Sequence, residues 1–156
     1  MPANTSVATG VGSTFSVVAT APATYDSAGY AALTWVPVGE VTDLPEFGQS
    51  RGSVSFTSLN GRMQKFAGNV DMGKLTLGFG LNTDDAGQIV LKTGVSSSSA
   101  ISIKVVTQNG DAYYFRAIVL SFKVNVGSSD KITTGSCELD ITTTSAGVGI
   151  VEVLAA

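Results

Sequence analysis

Residues 74–81, KLTLGFGL, are the stretch of sequence that decides the fold of this chain. Apolar side chains occupy every second position, from Leu75 to Leu81, and small or polar residues fill the positions between them. Successive side chains of a β-strand point to opposite faces of the sheet. The alternation therefore predicts a strand with one buried face and one uncovered face.

The sequence that follows this strand predicts a short helix. Thr83-Asp84-Asp85 supplies side chains that cap a helix N-terminus, and residues 86–93 (AGQIVLKT) can form the helix itself, ending at Gly94. Further along, residues 100–107 and 112–126 read as two strands joined through Asn109-Gly110, and Asn-Gly is the strongest short-range signal for a β-hairpin.

The remaining alternating segments indicate more strands, at residues 14–20, 32–41 and 132–143. We therefore expect a mainly β fold with one short flanking helix. The chain is divided into a flexible N-terminal arm (1–13), a single β domain (14–145) and an apolar C-terminal tail (146–156) that pairs with a neighbouring chain.

Residues 42–68 are expected to form a long loop with at most one weak strand, at residues 53–58. Loops of this length are uncommon in compact domains and are usually functional or disordered. This one is too apolar for a disordered linker, because it contains Phe47, Phe56, Leu59, Met63 and Phe66. Its apolar side chains need a surface to cover them, either on this domain or on a neighbour.

Composition excludes several classes of chemistry. The 156 residues include no histidine and one cysteine, Cys137, which rules out His-based triads, His-ligated metal sites and disulfides within the chain. Nine basic residues are scattered among twelve acidic ones, so tight nucleic-acid binding is not expected. Only 13% of residues are charged. This indicates surfaces covered by copies of the chain, although a β domain with a hydroxyl-rich surface is the alternative.

Two motifs approach the pattern of a chemical site. Residues 68–75 (GNVDMGKL) approach the phosphate-binding loop pattern, but Leu75 stands where a magnesium-binding hydroxyl is required, and a strand follows instead of a helix. Glu138 and Asp140 lie two residues apart on one predicted strand and share a face. They form a solvated acidic row or a weak cation site. No catalytic residue, cofactor or metal is predicted.

The order of these signals resembles the major tail tube proteins of phages with long, non-contractile tails. The segments that carry the resemblance lie between Leu33 and Thr144: Trp35–Val41 followed by Asp43-Leu44, a long loop, Lys65–Gly68 leading into Asp71–Leu77, a helix near Asp84–Thr93, the hairpin from Lys104 to Ala117, and the closing strand Glu138–Thr142.

The resemblance implies a β-sandwich or half-barrel protomer with one short flanking α-helix and a long loop. Six such protomers close into a ring with an inner β-barrel, and the rings stack into a tube, a fold similar to the type VI secretion tube. It implies partners of three kinds: copies of the same chain, the tape measure, tail tip and terminator proteins, and double-stranded DNA that passes without binding. The expected location is the virion tail, assembled in the host cytoplasm, with no membrane contact.

The resemblance also implies contacts from the long loop to a neighbouring protomer or ring. The candidate contact residues are Asp43, Phe47, Arg51, Arg62 and Lys65, and the candidate acidic residues facing the lumen are Glu138 and Asp140. Two alternatives remain: another ring-forming virion protein, such as a tail terminator or head–tail joining protein, and a ligand-binding β-sandwich.

Overall fold

The computed structural model describes residues 7–155, and residues 1–6 of the expected N-terminal arm and Ala156 of the tail lie outside this range. The elements follow in the order β1 (Thr14–Val18), α1 (Ser27–Ala31), β2 (Val36–Pro37), β3 (Val41–Asp43), β4 (Ser50–Thr57), β5 (Met63–Asp71), β6 (Lys74–Gly80), α2 (Ala86–Ser96), β7 (Ile101–Val106), β8 (Ala112–Asn125), β9 (Thr134–Thr142) and β10 (Val151–Val153).

Eight of these strands form one antiparallel sheet in the order β2-β1-β7-β8-β9-β6-β3, with β10 paired to β8. The sheet curls into a half-barrel, so the predicted mainly β, half-barrel fold is confirmed. Strand β8 is long enough to pair with three other strands. Its first half pairs with β7 on one side and β10 on the other, and its second half pairs with β9.

One face of the sheet, which we call the core face, carries the hydrophobic core. Leu75, Leu77 and Phe79 of β6 are buried there, as the alternation of residues 74–81 predicts. Leu75 lies opposite Leu139 and Leu77 opposite Cys137 on β9. Directly opposed apolar side chains stabilise a sheet because each covers the other from water.

Helix α2 packs on the core face, where Leu91 is fully buried. Asp85 caps its N-terminus, as predicted, by accepting a hydrogen bond from Gln88 N, and it also accepts one from Gly39 N. The helix continues to Ser96, past its expected end at Gly94. The Gly94 backbone lies so close to Val119 that a Cβ there would be 2.7 Å from the valine, so this glycine serves packing and does not end the helix.

The opposite face of the sheet is covered only near the start of β8. Helix α1, which the sequence did not predict, places Tyr30 against this region, and its ring stacks on Tyr114 at a centroid distance of 5.4 Å. Asp26 caps the N-terminus of this helix, and its side chain accepts a hydrogen bond from Gly29 N. Trp35 closes the cluster by donating from its indole N–H to Tyr30 O.

The expectation that residues 42–68 form a loop with one weak strand was wrong. Residues 42–68 hold much more regular structure than a loop with one weak strand, because β4 and β5 pair as an antiparallel hairpin within residues 50–71. Within the C-terminal tail, for which the sequence predicts pairing with a neighbouring chain, β10 pairs with β8 of its own chain, and Ala155 N donates to the Asp111 carboxylate.

Candidate assembly surfaces

The hairpin formed by β4 and β5, hereafter the projecting hairpin (residues 50–71), is set apart from the rest of the domain. Every residue of its two strands is exposed except Gly68, which is half-buried. The two strands contact each other extensively and pack against no other helix or strand of the described chain to a comparable extent. The hairpin therefore presents both of its faces to solvent in the single protomer.

The two faces of the projecting hairpin differ in character. Val54 lies opposite Phe66, and Phe56 lies opposite Gln64, so three large apolar side chains share one face, each more than half exposed. The other face carries Ser53, Ser55, Thr57, Lys65, Ala67 and Met63. A contiguous apolar surface left in water is characteristic of a protein–protein contact site.

A turn at one end and a bulge near the other fix the shape of the hairpin. At the tip, Gly61 adopts a positive φ of 82° and donates its N–H to Ser58 O. Near the base the strand register shifts between Arg51 and Ser53, where a Cβ added to Gly68 would lie 2.9 Å from Gly52 O. Such a bulge increases the local twist and bends the strand that contains it.

The structure separates the predicted contact residues into two groups. Arg51, Arg62 and Lys65 are exposed on the projecting hairpin, and Asp43 is exposed on β3. Phe47 instead packs within its own chain, with its ring 5.3 Å from that of Tyr113 and tilted against Phe115. Part of its ring is therefore used by the protomer's own core, and the rest remains accessible because Phe47 is only half-buried.

Sequence reasoning missed the apolar residues that distinguish the two faces of the hairpin. The sequence analysis places Phe56 and Phe66 in an apolar loop without a face, and it does not single out Val54. The signal that would have located them is Asn60-Gly61, which carries the same turn chemistry as Asn109-Gly110. Clean alternation before it, in residues 53–57, would then have given the first strand and the apolar face.

The part of the sheet opposite the core face and beyond α1, which we call the open face, contains both predicted acidic residues. Three cross-strand rows from β8, β9 and β6 make up this face: Ile118–Asp140–Lys74, Ser121–Glu138–Thr76 and Lys123–Ser136–Gly78. The Nζ of Lys74 lies 3.6 Å from Oε1 of Glu138. The expected acidic row is therefore interleaved with lysines, and the face as a whole has mixed charge.

Besides the outer sides of its terminal strands, the sheet leaves two stretches of its inner strands unpaired on one side among the described residues. Residues 118–125 of β8 pair with β9 on one side and with no strand on the other. Residues 74–77 of β6 are likewise unpaired on the side away from β9, because β3 reaches only Gly78 and Phe79. Unpaired edges expose backbone donors and acceptors that can pair with another chain.

Few reactive groups lie near these surfaces. Burial raises the pKa of the Cys137 thiol to about 12, so the thiol stays protonated at neutral pH. Residues 7–155 contain no cluster of three metal-ligating acidic, cysteine or histidine side chains. Within the same range, no helix is both long and apolar enough to cross a membrane.

Comparison of the sequence with known protein families and with curated proteins found no match. Solved structures do match. The tail of an empty GTA particle aligns with a TM-score of 0.65 at 9% identity, covering 96% of this chain and 100% of the other. The SPP1 tail tube aligns with a TM-score of 0.61 at 12% identity, covering 92% and 77%.

A third match is the sheath/tube terminator of an extracellular contractile injection system, with a TM-score of 0.63 at 12% identity, covering 97% of this chain and 99% of the other. All three alignments cover at least 92% of this chain. The chain therefore has a tail tube-like fold, shared with components of phage tails and contractile injection systems.

Proposed function

We propose that this chain is a non-enzymatic structural subunit of a tail-like particle, whose copies close into rings that stack into a tube. The observation that carries the proposal is the projecting hairpin, which holds Val54, Phe56 and Phe66 in water on a domain that has the tail tube-like fold. Burying one such side chain gains about 1.5–3 kcal/mol, so a hairpin of this kind favours association.

Ring formation is supported by the two bare strand edges. Pairing of residues 118–125 of one protomer with the β6 edge of the next would join the sheets of neighbours into one continuous barrel. Closing a ring in this way pairs both of these edges, which protects them against uncontrolled strand pairing. We take six protomers per ring from the resemblance to phage tail tube proteins.

In such a ring the open face lines the lumen, because the core face is already covered by α2. Apart from Ile118, its side chains are hydroxyls, glycine and interleaved charges, and the basic residues of the chain are not clustered. Double-stranded DNA binds proteins mainly through clustered cations, so it would pass through this channel without being retained. The lumen would hold a tape measure protein before DNA passage, and the particle would be the virion tail, assembled in the host cytoplasm.

A second candidate is a terminator that forms a single ring at the end of a tube. The similarity to the sheath/tube terminator of a contractile injection system favours it, since the alignment covers nearly all of both chains. A tube subunit must present complementary surfaces at both ends, whereas a terminator caps one end. The length of the assembly therefore separates the two functions.

The test is negative-stain electron microscopy of the untagged protein over a range of concentrations, with sedimentation velocity on the same samples. Hollow tubes many rings long support the tube subunit. Rings that do not lengthen with concentration favour the terminator. A protein that remains monomeric at every concentration contradicts both.

A further inference from the structure

We propose that the joint between neighbouring protomers of a ring is ionic, with Arg116 and Lys123 of one copy bound to Asp43 and Glu46 of the next. The two cations lie on β8, and the two carboxylates lie on β3 and on the segment that follows it. This inference rests on the proposed ring-forming function and adds the chemistry by which one side of a protomer recognises the opposite side of its neighbour.

The two sides of the sheet that would meet in a ring carry charges of opposite sign. Strand β8, which we call the basic side, contains two basic residues and no acidic residue. Residues 40–49 (EVTDLPEFGQ), which we call the acidic side, contain three acidic residues and no basic residue. Lys74, the cation of the unpaired β6 stretch, is already paired with Glu138. Complementary charge of this kind speeds association and fixes orientation.

On the basic side, Arg116 stands directly before the unpaired stretch of β8. Pairing with β7 extends along β8 only as far as Ala117, which lies opposite Ile101, and the half-buried guanidinium of Arg116 donates to Ala100 O just beyond that pair. Its Nε–H is buried and has no hydrogen-bond partner among the described residues. A buried donor without a partner is unfavourable, and a carboxylate suits the planar fork of a guanidinium. The protomer therefore leaves at Arg116 a position that an incoming carboxylate can satisfy.

The acidic side is shaped by the way the chain leaves β3. Asp43 lies opposite Gly78 of β6, and further along the chain Gly48 O lies 3.4 Å from the position that a Cβ would take on Gly73. The segment between them therefore runs back along the unpaired stretch of β6. Its apolar side chains pack on the core, whereas Asp43 and Glu46 are exposed. Both carboxylates are thus available to a neighbour on this side.

These four charges have no opposite charge to bind within their own protomer. None of them forms an ion pair in residues 7–155. The basic and acidic sides lie on opposite sides of β9 in the sheet, so ring closure brings the basic side of one copy against the acidic side of the next. The same charges disfavour the pairing of two like sides, which would place cations against cations. The charge pattern therefore selects the orientation that a ring requires.

Charge reversal tests the joint. The acidic-side variant combines Asp43→Lys with Glu46→Lys, and the basic-side variant combines Arg116→Glu with Lys123→Glu. Each variant alone places like charges together at every joint, so we expect the protein concentration needed for assembly to rise by about tenfold or more. An equimolar mixture should assemble again, because rings in which the two variants alternate have opposite charges at every joint. Sedimentation velocity and negative-stain electron microscopy measure assembly.

Two controls accompany these variants. Asp84→Lys combined with Asp130→Lys makes the same change in net charge as the acidic-side variant, at exposed residues outside both sides, and should assemble like the wild type. A mixture of the acidic-side variant with wild-type protein should not bring the variant into rings, because the wild type has no reversed basic side. Circular dichroism checks that each variant is folded. Lys123→Glu alone, at an exposed residue, replaces the basic-side variant if the change at half-buried Arg116 prevents folding.

The outcomes separate this inference from the proposed function. Assembly of the mixture, when neither folded variant assembles alone at wild-type concentrations, supports the ionic joint. Variants that each assemble alone like the wild type overturn the ionic joint and leave the ring-forming function standing. A mixture of folded variants that stays unassembled does the same. A wild-type protein that remains monomeric at every concentration contradicts both.

Discussion

Val54 and Phe66 lie directly opposite each other across the two strands of the projecting hairpin, yet 58% and 56% of their surfaces remain exposed. A cross-strand apolar pair of this kind normally faces a core. Here no core lies beneath it, because the hairpin leaves the domain at β6 and packs against no other element extensively. The pair is therefore the clearest sign in the protomer that a second chain completes its surface.

The apolar face of the hairpin should be required for assembly but not for folding. We expect Phe56→Ser combined with Phe66→Ser to give a folded protein that no longer forms assemblies, because each aromatic removed from a docked interface costs about 2 kcal/mol or more. Sedimentation velocity and circular dichroism measure the two properties. The control is Ser53→Asn combined with Ser55→Asn on the opposite face. A double serine variant that still assembles like the wild type would exclude the apolar face from the contact.

Removing the whole projecting hairpin should leave a stable monomer. Ser50 and Asp71 are ladder partners, so an Asn-Gly turn in place of residues 51–70 can join them without strain. Since the hairpin contributes little to the core, we expect the free energy of unfolding to change by no more than about 0.5 kcal/mol. Urea denaturation and sedimentation velocity check this. A large loss of stability, or continued assembly, would contradict the separate roles of hairpin and domain.

Helix α2 should tolerate no side chain at Gly87. A Cβ there would lie 2.5 Å from Pro37 O and 2.7 Å from Val38 Cα, and backbone atoms cannot move aside as a flexible side chain can. We expect Gly87→Ala to destabilise the protein by about 1–3 kcal/mol, although alanine has the higher helix propensity. Gly52→Ala is the control, because nothing lies within 4 Å of a Cβ at that position. Equal urea midpoints for the two variants would argue against close packing of α2.

The protein should lose stability at alkaline pH. Burial raises the pKa of the Cys137 thiol from 9.0 to about 12, and burial also raises the pKa of the Tyr30 phenol. Above about pH 9 the unfolded chain therefore releases protons that the folded chain retains. Stability that is fully present below pH 9 is lost as the pH rises, by up to about 1.4 kcal/mol per pH unit for each group.

Urea denaturation of the wild type and of Cys137→Ala between pH 8 and 11 measures this effect. The variant should have a shallower decline, even if its stability at neutral pH is lower because of the cavity that alanine leaves. Parallel declines in the two proteins would show that the thiol does not contribute. The slope of the unfolding free energy against pH reports ionisation, whereas the cavity lowers that free energy by the same amount at every pH.

Local sequence signals predicted most of the elements correctly. The Asn109-Gly110 turn lies between β7 and β8 as expected, with Gly110 at a φ of 94°. The alternation of residues 74–81 gave β6 and its buried face, and Asp85 caps α2. These features depend on neighbours within a few residues, which is why composition and spacing were enough to find them. Two short elements, α1 and β10, were missed because five and three residues carry little periodicity.

The sequence by itself determined the strands, the capped helix and the absence of histidine-based chemistry. Only the tertiary structure decided how the surfaces are distributed, because the sheet order brings together residues that are distant in the chain. Lys74 meets Glu138 through the pairing of β6 with β9, which turns an expected acidic row into a face of mixed charge. The same sheet leaves residues 118–125 of β8 and residues 74–77 of β6 unpaired on their sides away from β9, a relationship that no spacing in the sequence encodes.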